Sequence, residues 1–451
     1  MSAAESAPSA LAPSFGTSRP LLSWPRLLAS VVLIILFIPI KRYVIAGHLP
    51  FSLEPYRIVL GLVLLGWIGS VLVDRRVRLR RTGFEGPFFV LAVAALGSVI
   101  ANPARASALG PEVIKSLTFF ASFLLLVYLI VSVLRERHQI DQLIKVVVIG
   151  ASLLSAAAII EHWTGRNQFG RFAGWVPLLV QPDSNWSLAH DYHGRAYASA
   201  QHPIAFGAAL VVILPLAVYL FRLSGRRRWL GLALVISLGV LASGSRTAIV
   251  MVLVVGIMFA RLHPRETRKM WWALLPILVL VHFALPSTLG SLRASFFPKH
   301  GLIAQQATRA GTRGSGRIAD LGPGLADSAR HPVFGVGFGT RVTDRGPKQN
   351  SLILDNQWLS TLLETGYAGV LGWVWLFVRF VRRTSAAARA DAAEQSWLFT
   401  AFAASIAGFA IGMLTYDAFS FIQVTFFAYL VVALGAASLQ GRRLNTAAPA
   451  E

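Results

Sequence analysis

Apolar residues along this chain gather into runs instead of alternating with polar ones. The runs fall at roughly 27–45, 56–73, 87–101, 113–134, 143–160, 203–221, 229–243, 248–260, 271–287, 366–380, 397–416 and 418–438. About twenty consecutive apolar residues in a helix cover the hydrocarbon of a bilayer, so the pattern predicts an all-α polytopic membrane protein with about twelve transmembrane helices. Several runs are shorter than that, which leaves the helix ends soft. The polar residues between runs set the orientation. Arg75, Arg76, Arg78, Arg80 and Arg81 follow the second run, Arg135 and Arg137 the fourth, and Arg222, Arg226, Arg227 and Arg228 the sixth. Arg261, Arg265, Arg268 and Lys269 follow the eighth, Arg379, Arg382 and Arg383 the tenth, and Arg442 and Arg443 the last. Every even-numbered exit is basic, and basic loops stay in the cytoplasm. Both termini are therefore expected inside, with Lys41 and Arg42 as mild exceptions.

The expected organisation is a disordered cytoplasmic tail over 1–24, a transmembrane domain over 25–441 and a short cytoplasmic tail over 442–451. Two long segments fall outside, 161–202 and 288–355. Composition agrees: 55% of the 451 residues are hydrophobic and 14% charged, too apolar for a soluble core. The net charge of +22 would suggest nucleic acid in a soluble protein, but arginines in short bursts between apolar runs read as topology, and no nucleic-acid partner is expected. With no cysteine, thiol nucleophiles and zinc–thiolate sites are excluded.

The larger outer segment departs from the topology bias. It carries Arg293, Lys299, Arg309, Arg313, Arg317, Arg330, Arg341, Arg345 and Lys348 against Asp320, Asp327 and Asp344. Long loops translocate largely regardless of charge, so tolerance is one explanation. An anionic ligand such as a phosphate at the outer leaflet is the other.

Candidate chemistry lies at the ends of the runs. Asp355-Asn356-Gln357 leads into a helix, where Asp355 or Asn356 is placed to cap it, and Asp355 is also a candidate base. Glu364, further along that helix, faces a cavity or pairs with an arginine. Arg246 sits in a tight turn at the membrane face, where a guanidinium is costly without a partner. Arg195 and His202 precede the sixth run, and Arg317 stands three residues before Asp320. Gly335-Val336-Gly337-Phe338-Gly339-Thr340 lacks the Gly-Lys-Ser/Thr of a phosphate loop and reads as a backbone turn, although Arg341 after it is a candidate anion contact. His162, His190, Asp191 and His193 lack a regular metal-ligand register, so no metal or other cofactor is expected.

Five stretches together resemble the family of O-antigen ligases and O-antigen or exopolysaccharide polymerases, over an expected core of 195–369. They are Arg195 to Pro203, Ser245-Arg246-Thr247-Ala248-Ile249-Val250, Gly316-Arg317-Ile318, His331 to Thr340, and Asp355-Asn356 followed by Gly366-Tyr367-Ala368-Gly369. The resemblance implies a membrane glycosyltransferase of GT-C architecture in the cytoplasmic (inner) membrane, acting at its periplasmic or external face. It implies transfer of a glycan from undecaprenyl diphosphate to a glycan or glycolipid acceptor, without a metal, among membrane lipid. It also implies that Arg246 and Arg317 hold the diphosphate and that Asp355 acts on the acceptor hydroxyl. Substrate-binding roles are expected for Arg195, His202, Asn356, Arg313, Arg341, His331 and Glu364. Asp355 stands where the ligases place a histidine, which disfavours a lipid A core acceptor and favours a polymerase or another acceptor, and Val250 replaces a usual leucine. A twelve-span transporter or flippase of lipid-linked glycan is the rival, disfavoured by the absence of an internal repeat and of mid-span ionisable residues.

Overall fold

A computed structural model describes residues 23–45, 54–75, 77–174, 176, 179–180, 194–270, 279, 283–285, 290, 293, 296–297, 320–343, 347–391 and 393–447. The described residues are overwhelmingly helical. In chain order they form α1 (Trp24–Phe37), α2 (Pro55–Val73), α3 (Glu85–Ala101), α4 (Pro103–Ala108), α5 (Gly110–Val133), α6 (Arg137–Thr164) and α7 (Pro203–Ser224). They continue as α8 (Arg227–Ala242), α9 (Arg246–Leu262), α10 (Pro264–Met270), α11 (Leu321–Ser328), α12 (Gln357–Ala390), α13 (Ala393–Gly412) and α14 (Ile422–Ala447). A two-residue antiparallel pairing of β1 (Val44–Ile45) with β2 (Leu179–Val180) ties the loop after α1 to the loop after α6.

Seven of these helices, α2, α5, α6, α7, α12, α13 and α14, are long and apolar enough to cross a membrane, and α1 and α3 are shorter apolar helices. The chain is a polytopic all-α membrane protein. Its core is built by α7, α13 and α14, with 78% of the α7 span and 94% of the α14 span buried by protein. In contrast, α2 buries only 28% of its span and turns Leu62, Leu65 and Leu72 outward. An outward apolar face of this kind suits lipid and would be costly in water.

The apolar runs foretell helix positions better than helix ends. The run at 366–380 is the middle of the much longer α12, and the helices of the last two runs, α13 and α14, are shifted apart from them, leaving 413–421 as a turn-rich connector. Thr415, Asp417 and Ser420 lie in that connector, and a hydropathy average over their apolar neighbours conceals them. The run at 271–287 and the tail at 1–22 lie almost wholly outside the described residues.

Candidate functional site

The polar residues that open and close helices at one end of the bundle converge there. The chain enters α9 through Gly244, whose φ is 56°, and Ser245 then caps the helix by accepting the Ala248 N–H at 3.3 Å. Arg246 is therefore the first helical residue, half-buried. Arg195 reaches the same turn, its Nε donating to the Ser243 carbonyl at 3.0 Å while the Ala196 N–H donates to Ala242. A buried carboxylate holds this segment from behind: Glu161 accepts the Ala198 N–H at 2.8 Å, the Tyr197 N–H at 3.3 Å and Asn167 Nδ2 at 3.0 Å. Ala198 is held at a φ of 46°, a left-handed conformation uncommon for a residue with a Cβ. His202 ends the segment as the cap of α7, its Nδ1 accepting the Ile204 N–H at 3.1 Å, so Nε2 carries the proton of the neutral ring.

The start of α12 is fastened to the connector. Asn356 Oδ1 accepts the Leu359 N–H at 3.1 Å, so Asn356 and not Asp355 is the helix cap. The Gln357 N–H donates to the carbonyls of Met413 and Tyr416, and its Oε1 accepts the Phe419 N–H at 2.7 Å. Across the connector, the Thr415 hydroxyl bonds the Thr247 hydroxyl at 2.8 Å. One nine-residue connector is thus bonded on one side to the residue after Arg246 and on the other to the second residue after Asp355.

Asp417, in this connector, is a half-buried carboxyl beside the candidate site that sequence reasoning missed. Burial pushes its carboxyl above the usual aspartate range, Asp355 pushes the same way, and a Ser420 hydroxyl bond at 2.5 Å together with Arg341 and Lys41 opposes them. Lys41, the exception to the charge rule, donates to the Ser420 carbonyl at 3.2 Å. The one signal in the sequence was a polar Thr-Tyr-Asp step between two apolar runs.

Midway along its first turns α12 breaks, and the stretch from Pro332 to Gly337 fills the break. Leu363 and Glu364 leave carbonyls that accept the N–H groups of Val336 at 2.8 Å and Gly337 at 3.3 Å. Tyr367 and Ala368 donate in return to the carbonyls of Pro332 at 2.8 Å and Val333 at 3.2 Å. Four backbone groups freed by the break are thereby satisfied, as a buried helix end requires. Gly366 makes the turn with a φ of 64°, and a Cβ there would meet the Val333 carbonyl carbon at 2.4 Å. Phe334 packs on Gly97 and Phe338 on Phe120, fixing the loop to α3 and α5. The Gly-rich stretch is a backbone turn, with the N–H groups of Gly335, Val336, Gly337 and Thr340 committed to protein carbonyls.

Arg341 leaves this loop half-buried, donating to Ser360 Oγ at 3.4 Å and the Leu352 carbonyl at 3.2 Å. Burial pulls its basicity down, while the carboxylates of Glu364 and Asp417 hold it up. Glu364 is half-buried within reach of the Gly339 backbone. His331 is exposed at the start of the loop, and its carbonyl accepts the Gly335 N–H. Arg313 and Arg317 lie outside the described residues, as do His190, Asp191 and His193. Among the described residues no three His, Asp or Glu side chains gather as a metal site, and His162 contacts the Gly194 carbonyl.

No curated protein matches the chain. A family model described as O-antigen ligase matches residues 231–374, from within α8 through Arg246, Arg341, Asp355 and the break at Gly366. Over this segment the polytopic membrane chain is similar to the O-antigen ligase family.

Proposed function

We propose that this protein transfers a glycan from undecaprenyl diphosphate to a sugar hydroxyl of a glycan or glycolipid acceptor, as a ligase or polymerase. The reaction is metal-independent, inverts the anomeric centre and takes place at the outer face of the cytoplasmic membrane. The proposed frame has about twelve spans of GT-C type with both termini in the cytoplasm. The observation that carries this reading is the anchoring of the Arg246 and Asp355 helix starts to one connector.

In the proposed step the acceptor oxygen attacks the anomeric carbon as the bond to the phosphate oxygen breaks. Undecaprenyl diphosphate leaves with the electron pair, and the hydroxyl proton passes to the Asp355 carboxylate. Negative charge grows on the leaving diphosphate, so fixed guanidiniums from Arg246 and Arg317 stabilise the transition state more than the ground state. A positioned base contributes roughly 10²–10⁴-fold. Arg195, bonded to the turn before Arg246, adds positive charge to the same place. The two caps, His202 and Asn356, keep Nε2–H and the Nδ2 amide as donors toward sugar hydroxyls. Arg313, Arg341, His331 and Glu364 complete the proposed substrate contacts.

Asp355→Asn and Arg246→Ala are each expected to reduce transfer by at least about a hundredfold, with unchanged membrane insertion and detergent elution. Transfer measured in detergent, where there are no compartments, also separates this reading from a flippase, which forms no new glycosidic bond. Wild-type product from both variants would contradict it.

A further inference from the structure

Arg105 lies on α4, the short helix between α3 and α5, and its Nη2 donates to the Thr340 carbonyl at a long 3.4 Å. Its Nε is buried with no hydrogen-bond partner. Arg341 begins where Thr340 ends, and its two contacts, to Ser360 and Leu352, are with neutral oxygens at 3.2–3.4 Å. Among the described residues neither guanidinium forms an ion pair. The carboxylates of Glu364, Asp417 and Asp327 act on Arg341 only from a distance, and Arg105 acts on it repulsively. Two half-buried cations side by side, with a spare N–H and long neutral contacts, are unfavourable as they stand. A shared anion removes both the repulsion and the unsatisfied donor, and guanidinium forks match oxyanions in bidentate geometry.

We propose that Arg105 and Arg341 form an oxyanion subsite, distinct from the Arg246 turn, that binds a carboxylate of an acidic sugar or a phosphoryl group of the lipid-linked donor. Asp417 feels both Arg341 and Asp355, which puts the subsite within electrostatic range of the proposed base and gives it a part in aligning the glycan. The identity of the ligand rests on the proposed transfer reaction; the capture of an anion does not.

The test is titration of the purified full chain in nanodiscs with methyl glucuronide and, separately, inorganic pyrophosphate at fixed ionic strength. Wild type, Arg105→Gln, Arg341→Gln and Arg105→Lys are compared after each is shown to elute as a single species. Binding of at least one probe is expected to weaken about tenfold or more in Arg105→Gln and in Arg341→Gln. Arg105→Lys, which keeps the charge but loses the fork, is expected to fall between. Loss confined to the glucuronide assigns the subsite to an acidic sugar, and loss confined to pyrophosphate assigns it to the donor phosphates. Equal binding of both probes by wild type and both Gln variants overturns the subsite. If the subsite binds as expected but no variant or wild type transfers glycan, the subsite stands and the proposed reaction falls.

Discussion

Asp355 and Asp417 carry the same carboxyl group and answer to different constraints. Asp355 stands one residue ahead of a cap, and Asp417 lies in the connector between α13 and α14 with its acid pushed toward the neutral form. A folded-state pKa raised above the unfolded value means that the contribution to folding is full below the unfolded pKa, about 3.9 for aspartate. It is lost as pH rises through the folded value. Asp417→Asn is therefore expected to melt at a higher temperature than wild type at pH 8, with the gap closing toward pH 4. Thermal denaturation in detergent at the two pH values checks this, and a variant less stable at pH 8 would contradict it. Asp355 and Arg246 were readable in the sequence because each follows or precedes a small polar or turn-forming residue at the edge of an apolar run. Asp417 was not, because the last two runs leave it as the single residue between them and nothing local marks the electrostatic pull of Arg341 and Lys41 on it.

At the scale of elements, the break in α12 is the device that joins the Gly-rich loop to the site. Its legibility was partial: the sequence showed that Gly335–Thr340 was a turn, but the partner carbonyls of Leu363 and Glu364 are far away in the chain and hidden in a helix-forming pattern. Gly366→Ala forces a left-handed conformation on a Cβ that also meets Val333, and is expected to cost about 1–3 kcal/mol or more and to lower transfer. Gly256→Ala, in α9 with open space around it, is the control and is expected to be neutral or to stabilise by up to about 1 kcal/mol. Differential melting of the two variants is the measurement. Glu161 plays the corresponding part for the Arg195 segment. Glu161→Leu leaves the Tyr197 and Ala198 N–H groups without acceptors and is expected to destabilise by roughly 1–3 kcal/mol per buried donor. Glu161→Gln, which keeps one acceptor oxygen, is expected to cost less in the same melting assay.

For the whole molecule, the apolar runs gave fold class and helix order, while helix ends depended on caps and connectors that the runs do not encode. The charge alternation makes a prediction about sidedness that the absence of cysteine renders easy to test. Lys348, in a loop, and Arg228, at the start of α8, are both exposed and are proposed to face opposite sides. A membrane-impermeant maleimide is expected to label Lys348→Cys in intact cells and Arg228→Cys only after permeabilisation; the reverse pattern would invert the topology. The central claim is glycosyl transfer at the Arg246–Asp355 site, and its most direct test is a reaction of the purified chain with an undecaprenyl-diphosphate glycan and a sugar acceptor in detergent under excess chelator. The account predicts a lengthened or newly linked glycan with inverted anomeric configuration, lost in Arg246→Ala and Asp355→Asn. No product from the wild type, product lost to chelator alone, or equal product from wild type and both variants would contradict it.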